Sequence, residues 1–138
     1  TANIYGENWV DGSGSILGSQ LIATPNGFTA IGISNPFVVI RASQKLGNQN
    51  EDELLIEYNY SDVCIYVGRF PYDDGVYFGF YDEYSSCGQQ GTSLFIVAAK
   101  PSDATFAVIV AIHTVTEADN EAREKILKTF YVTGTLPG

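Results

Sequence analysis

The chain has 138 residues, and its 16 Asp and Glu against 7 Lys and Arg give a formal net charge of −9. That balance excludes nucleic acid as a partner, because phosphate binding runs on clustered Lys and Arg. No apolar run approaches the roughly 20 residues that a membrane helix needs, and the aromatic and β-branched content argues against disorder by offsetting chain entropy.

The length matches one domain, 1–138, able to bury roughly two thirds of its unfolded surface. The chain starts at Thr1 and holds no Met, which reads as a processed mature protein or as a piece of a longer one. Cys64 and Cys87 form an even set in a Lys-poor composition rich in Tyr, Ser, Thr, Asn and Gly, which points to export. Pairing them would close a loop of about 24 residues, worth on the order of 3 kcal/mol in the chain-entropy model; the other reading is two buried thiols. The spacing fits neither a redox C-x-x-C nor a zinc site.

In chain order, Ile4, Tyr5, Trp9 and Val10 lie in a short N-terminal arm, 1–11, set off by the non-packing run Asp11-Gly12-Ser13-Gly14-Ser15 from a globular body, 12–138. Strands are expected over Ile16–Thr24, Phe28–Ser34 and Phe37–Ser43, punctuated by Pro25-Asn26-Gly27 and Asn35-Pro36. Gln44–Asp52 reads as a loop. Leu54–Tyr60 alternates like a strand, with Leu54, Ile56, Tyr58 and Tyr60 on one side, and Val76–Tyr84 is another strand after the acidic turn Pro71–Gly75.

The clearest pair is Ser93–Ala99 with Thr105–Thr116. Phe106, Val108, Val110 and Ile112 share one face of the second strand, and Ala107, Ile109, Ala111 and His113 share the other. Both faces are apolar, so this strand is expected at the sheet centre. Downstream, Thr116-Glu117-Ala118-Asp119 resembles a capping box opening a helix over about Glu117–Lys128, with an apolar stripe of Ala118, Ala122, Ile126 and Thr129 that would cover the small-residue face. Phe130 to Val132 then returns as a terminal strand. The pattern predicts an α+β fold: an antiparallel, sandwich-like sheet core with one C-terminal amphipathic helix on a sheet face.

Catalytic signatures are sparse. His113 is the only histidine, and its strand is apolar on both faces, so it reads as a core residue on which any triad would depend. No serine sits in a G-x-S-x-G elbow, and Gly12-Ser13-Gly14 opens no helix after a strand, so it fails the dinucleotide fingerprint. Asp73-Asp74 and Asp82-Glu83 carry hard oxygens but no calcium-loop spacing and read as solvated turns. The sequence predicts no metal, no cofactor and no enzyme. Asn59-Tyr60-Ser61 is a formal glycosylation sequon, relevant only if the producing pathway glycosylates.

The unusual feature is a concentration of tyrosines: Tyr58, Tyr60, Tyr66, Tyr72, Tyr77, Tyr81 and Tyr84, interleaved with Asp62, Asp73, Asp74, Asp82 and Glu83. Tyrosine offers large amphipathic contact area at low entropy cost. Tyr72, Asp73, Asp74, Tyr77, Tyr81 and Tyr84 are therefore the candidate binding residues, for a protein or glycan. The bland reading is that these tyrosines furnish strands.

Two stretches carry a resemblance. Tyr60-Ser61-Asp62-Val63-Cys64, Tyr66-Val67-Gly68-Arg69, Tyr72 and Cys87-Gly88, with Thr116, Ala118-Asp119, Ala122, Ile126-Leu127 and Phe130-x-Val132, resemble a PsbP-like non-catalytic domain that accompanies secreted bacterial trypsin-like serine proteases. The resemblance covers about residues 54 to 133. It implies an antiparallel sheet packed by helices, a structural Cys64–Cys87 disulfide, a secreted bacterial location, and a serine protease as attached or neighbouring partner. The expected role is a non-enzymatic accessory or interaction domain. The alternative is a structural subunit that pairs with copies of itself by adding its N-terminal arm to a neighbour's sheet.

Overall fold

The computed structural model describes residues 2–25, 36–88 and 91–130. Its centre is a strand whose alternation buries both faces, β7 (Ala107–Thr114), and the rest of the sheet is laid on either side of it. The other strands are β1 (Ala2–Val10), β2 (Ile16–Pro25), β3 (Phe37–Ser43), β4 (Ile65–Asp73), β5 (Tyr77–Ser85) and β6 (Ser93–Pro101), in the spatial order β1-β2-β3-β7-β6-β5-β4. Every neighbouring pair is antiparallel. Two helices complete the described chain, α1 (Glu51–Ile56) and α2 (Glu117–Thr129). Among the described residues, no helix is long and apolar enough to cross a membrane.

The period of two in β6 and β7 divides the interior into two clusters. Leu94, Ile96, Ala98, Ala107 and Ile109 share one cluster with Trp9, Leu54, Leu55 and both cysteines. Val97, Ala99, Val108, Val110 and Ile112 share the other with Tyr72 and Tyr77, against which Ile126, Leu127 and Phe130 of the C-terminal segment pack. Helix α2 thus covers the branched-residue face, not the small-residue face expected from the sequence. On that opposite face, the large side chains of Trp9, Leu54, Leu55 and Tyr84 fill the space beside Ala107 and Ala98.

Leu54–Tyr60 is likewise not a strand. Glu51, Asp52 and Glu53 fill the first turn of α1, where negative charge suits the helix dipole, and the adjacent Leu54 and Leu55 are both buried. Ile56, assigned to the buried side by alternation, is exposed. In α2 the Thr116 side chain accepts from the Asp119 backbone N–H while Asp119 accepts from the Thr116 N–H, the reciprocal cap read from the sequence. The stripe it turns inward is Arg123, Ile126 and Leu127, whereas Ala118 and Ala122 are exposed. Alanine offers too little apolar area to set a helix's rotation against bulkier neighbours.

The segment expected as an arm is strand β1, paired with β2 from Ala2↔Pro25 to Val10↔Ile16. The Asp11–Ser15 run is a hairpin turn in which the Asp11 carboxylate accepts from the Ser13 N–H at 2.9 Å, the Ser13 hydroxyl at 2.7 Å and the Ser15 N–H at 3.0 Å. These bonds, led by the Ser13 hydroxyl, hold the Asp11 carboxyl below its ordinary value. Cys64 and Cys87 are joined by a disulfide that ties the entry of β4 to the exit of β5. The expected strand Phe28–Ser34 and residues 131–132 lie outside the described residues.

Gly18 and Gly79 are both required by close approach, a Cβ on Gly18 standing 1.9 Å from the Ala42 carbonyl oxygen. A Cβ on Gly79 would stand 2.1 Å from the Ala98 carbonyl oxygen and 2.8 Å from the Ala99 Cα, both backbone atoms of the neighbouring strand. Gly79→Ala is expected to push β5 from β6 and cost about 1–3 kcal/mol, as overpacking does. Urea unfolding followed by far-UV circular dichroism reads the shift, and an unchanged midpoint would refute the close approach.

Candidate functional site

The six candidate binding residues fall in three places. Strand β5 projects Tyr77 and Tyr81 to the α2 side and Asp82 and Tyr84 partly to the other, so alternation alone separates the tyrosines. Tyr77 is 1% exposed and stacks on Phe130 with centroids 4.9 Å apart, beneath the C-terminal segment. Tyr84 is 2% exposed on the opposite face, where its hydroxyl donates to the Tyr58 carbonyl at 3.2 Å. Neither ring can present itself to a partner.

Tyr72, Asp73, Asp74 and Tyr81 are brought together. They line a cleft of about 340 Å³ between the β4–β5 hairpin and α2, with Pro71, Phe95, Glu124, Leu127 and Lys128. Three of the four are committed to structure. One oxygen of the Asp74 carboxylate accepts from the Val76 N–H at 2.9 Å and the Tyr77 N–H at 2.7 Å, and the other accepts from the Tyr72 hydroxyl at 2.8 Å. The Tyr72 hydroxyl also lies against the Leu127 carbonyl, fastening edge strand β4 to α2. Asp73 caps the turn by accepting from the Gly75 N–H at 2.9 Å.

Tyr81 and Phe95 of the cleft belong to an aromatic row that crosses three strands. Phe70 of β4 lies 5.3 Å from Tyr81 of β5, Tyr81 stacks 5.5 Å from Phe95 of β6 at an interplanar angle of 16°, and the Arg123 guanidinium of α2 sits 4.2 Å above Phe95. Cross-strand register creates this row, since Phe70↔Tyr81 are direct partners and Phe95 lies opposite Glu83, one same-face step from Tyr81. Burial, then the Glu83 and Glu124 carboxylates, push the Tyr81 hydroxyl above its ordinary value, so it remains a neutral hydrogen-bonding group. Aromatic rings, a protonated phenol, carboxylates and one lysine together can hold a ligand that is part apolar and part polar.

Phe70, Phe95, Glu124, Leu127 and Lys128 were not singled out in the sequence. The signal for Phe95 was present, because it shares its strand face with Val97 and Ala99; nothing local places it beside residues of α2. Asp82, expected in a solvated turn, is buried within β5 and receives a two-point contact from Arg69, Nε to Oδ1 at 2.7 Å and Nη2 to Oδ2 at 2.9 Å. His113 is 1% exposed, with its ring 5.5 Å from that of Phe37, away from the cleft. Among the described residues, no group of three or more His, Cys, Asp or Glu converges as a metal site would require.

No family model, curated protein or solved structure matches this chain.

The Tyr72 contacts carry a pH dependence. Burial first, then the hydrogen bond to Asp74, push its hydroxyl well above the ordinary value of 10.0. A raised folded value means that the stabilisation is complete below pH 10 and is lost as pH climbs from there towards the folded value. The free energy of unfolding, read by urea titration, is therefore expected to fall above pH 10, at up to about 1.4 kcal/mol per pH unit for each such proton. Tyr58, Tyr81 and Tyr84 are raised in the same direction, each mainly by burial, so Tyr72→Phe should flatten the decline without abolishing it. Equal slopes in the two proteins would remove this assignment.

Proposed function

We propose that the chain is a secreted, non-enzymatic accessory or interaction domain that binds a protein or glycan partner in the cleft between the β4–β5 hairpin and α2. The observation that carries this reading is the aromatic row Phe70–Tyr81–Phe95 beside a cleft bordered by Glu124, Lys128 and the acidic β4–β5 turn. Interfaces concentrate their energy in such rigid aromatic anchors. In this reading the sheet and α2 form a sandwich-like body, and an amphipathic C-terminal helix is one wall of the cleft. The disulfide and the acidic, Lys-poor composition support export. The PsbP-like resemblance supports a secreted bacterial trypsin-like serine protease as the partner to test first.

The test is binding of that protease, and of an arrayed glycan set, to the intact chain and to Tyr81→Ala. We expect a loss of roughly tenfold or more in affinity, as for an aromatic anchor, with far-UV circular dichroism unchanged. Equal binding by the variant would remove the cleft from the interface. Tyr77→Ala is not an equivalent test, because its ring belongs to the core.

A second reading, a structural subunit of an extracellular assembly, is favoured by one observation. Strand β1 is an edge of the sheet, and its nine residues contain no proline. In this reading β1 pairs with a copy of the chain. A single monomeric species in sedimentation at high protein concentration would end it.

A further inference from the structure

A second cavity lies on the opposite side of the sheet from α2, and its chemistry differs from that of the cleft. It has a volume of about 390 Å³, with apolar walls that include Trp9, Leu17, Leu54 and Ile109, and it contains the Arg41 guanidinium and the Tyr58 ring. The volume falls in the range of small-molecule sites, roughly 300–1,000 Å³, and the apolar walls are joined by the polar side chains of Asp11, Arg41, Gln49, Glu57 and Tyr58.

Arg41 is held in place from several directions. It stands in a cross-strand row in which Glu7 pairs with Gln20, Gln20 with Arg41, and Arg41 with Ile109. Its Nε donates to the Gln20 side-chain oxygen at 2.8 Å, and the Gln20 amide in turn donates to Glu7 at 2.7 Å. Its Nη1 donates to the Tyr58 hydroxyl at 2.8 Å. The guanidinium lies 5.2 Å from the Trp9 ring centroid and 5.9 Å from that of Tyr58. Packed between rings and fixed at two nitrogens, it is ordered before any ligand arrives.

What the arrangement lacks is an anion. Among the described residues, no carboxylate lies within ion-pair distance of Arg41, although the chain carries 16 acidic side chains. Of the two acids that border the cavity, Asp11 and Glu57, Asp11 holds its own turn through Ser13 and Ser15, and Glu57 is exposed to water. Tyr58 accepts from Arg41, so its own hydroxyl hydrogen is left to donate. Burial pushes that hydroxyl above its ordinary value and keeps it protonated at neutral pH. A guanidinium edge and a phenol are a matched pair of donors for one carboxylate.

We propose that the Trp9–Arg41–Tyr58 cavity binds a small carboxylate with an apolar body, its carboxylate on Arg41 and Tyr58 and its hydrocarbon against Trp9, Leu17 and Leu54. The site is independent of the α2 cleft and carries no chemical step.

Trp9 is the single tryptophan of the chain, so its fluorescence reports this cavity alone. Hexanoate titrated into the intact protein should change the Trp9 emission saturably, and at least tenfold more tightly than the uncharged 1-hexanol. Arg41→Gln should abolish that preference while far-UV circular dichroism is retained. If Arg41→Gln does not fold, Arg41→Lys, which keeps the charge and loses the planar fork, is expected to weaken hexanoate at least several-fold while leaving 1-hexanol unchanged. A saturable response to neither probe, equal affinity for the two, or an undiminished preference in the folded variant would each overturn the proposal.

Discussion

Arg69→Met is expected to lower the free energy of unfolding by about 3–5 kcal/mol, the cost of leaving a buried carboxylate without its partner. Asp82 lies in β5 directly opposite Arg69 in β4, and both carboxylate oxygens receive guanidinium N–H groups. The Asp82 side chain is 3% exposed, whereas that of Arg69 is 31% exposed. The loss should therefore be asymmetric: Asp82→Asn leaves behind a cation that reaches water, and it should cost less than Arg69→Met. The outer contact of Arg69, to Asp52 at 3.1 Å, engages a side chain that is 60% exposed. Surface pairs of that kind contribute about 0–1 kcal/mol, so Asp52→Asn should be nearly silent. Urea unfolding of the three variants orders them, and an Arg69→Met loss no larger than that of Asp52→Asn would show that water reaches Asp82.

Removal of the disulfide, as Cys64→Ala with Cys87→Ala, is the second large effect. The two residues are 23 positions apart in sequence, and a cross-link over a loop of that size stabilises by about 3 kcal/mol in the chain-entropy model. Both cysteines are also core residues packed beside Leu54, Leu55 and Tyr84, so the packing lost on substitution adds to the loss of cross-linking. At the usual slope for urea of about 1–3 kcal/mol per molar, the midpoint should fall by roughly 1–3 M. Mild reduction of the intact protein should give most of the same shift without altering any side chain. If reduction leaves the midpoint in place, the bridge constrains the unfolded chain far less than its length implies.

Much of the fold was legible because its strongest elements obey local rules. The alternation of Ala107 to His113 placed β7 at the sheet centre, and the Thr116 and Asp119 spacing marked the start of α2. The pairing of Cys64 with Cys87 was one of the two readings that an even count left open, and the structure shows the bridge. Leu54 to Tyr60 misled for a local reason: a six-residue helix is too short to display its own period, so alternation over Leu54, Ile56 and Tyr58 looked like a strand. Three acidic residues before Leu54 were the better signal, because they favour a helix N-terminus.

The candidate site was half legible. The Tyr and Asp concentration drew attention to β4 and β5, where Tyr72, Asp73, Asp74 and Tyr81 line one cleft. Composition could not tell Tyr77 and Tyr84 from Tyr81; alternation along β5 separates Tyr84 from the other two, and Tyr77 differs from Tyr81 in what covers it. The Arg41 cavity gave no warning, because Trp9, Arg41 and Tyr58 belong to separate segments that meet through the pairings of β1, β2 and β3 and the position of the chain after α1.

The amino-acid order by itself determined the alternation of β7 and the cap of α2, which depend on neighbours within a few positions, and the acidic charge, which is a sum over the chain. Tertiary structure alone decided which face of β7 α2 covers, which tyrosines are buried, that Asp82 is an internal partner of Arg69, and that Arg41 stands between two rings. Each of those outcomes depends on volume and charge supplied by distant segments. Those burials and pairings are properties of the packed assembly, beyond what the local pattern of each segment encodes.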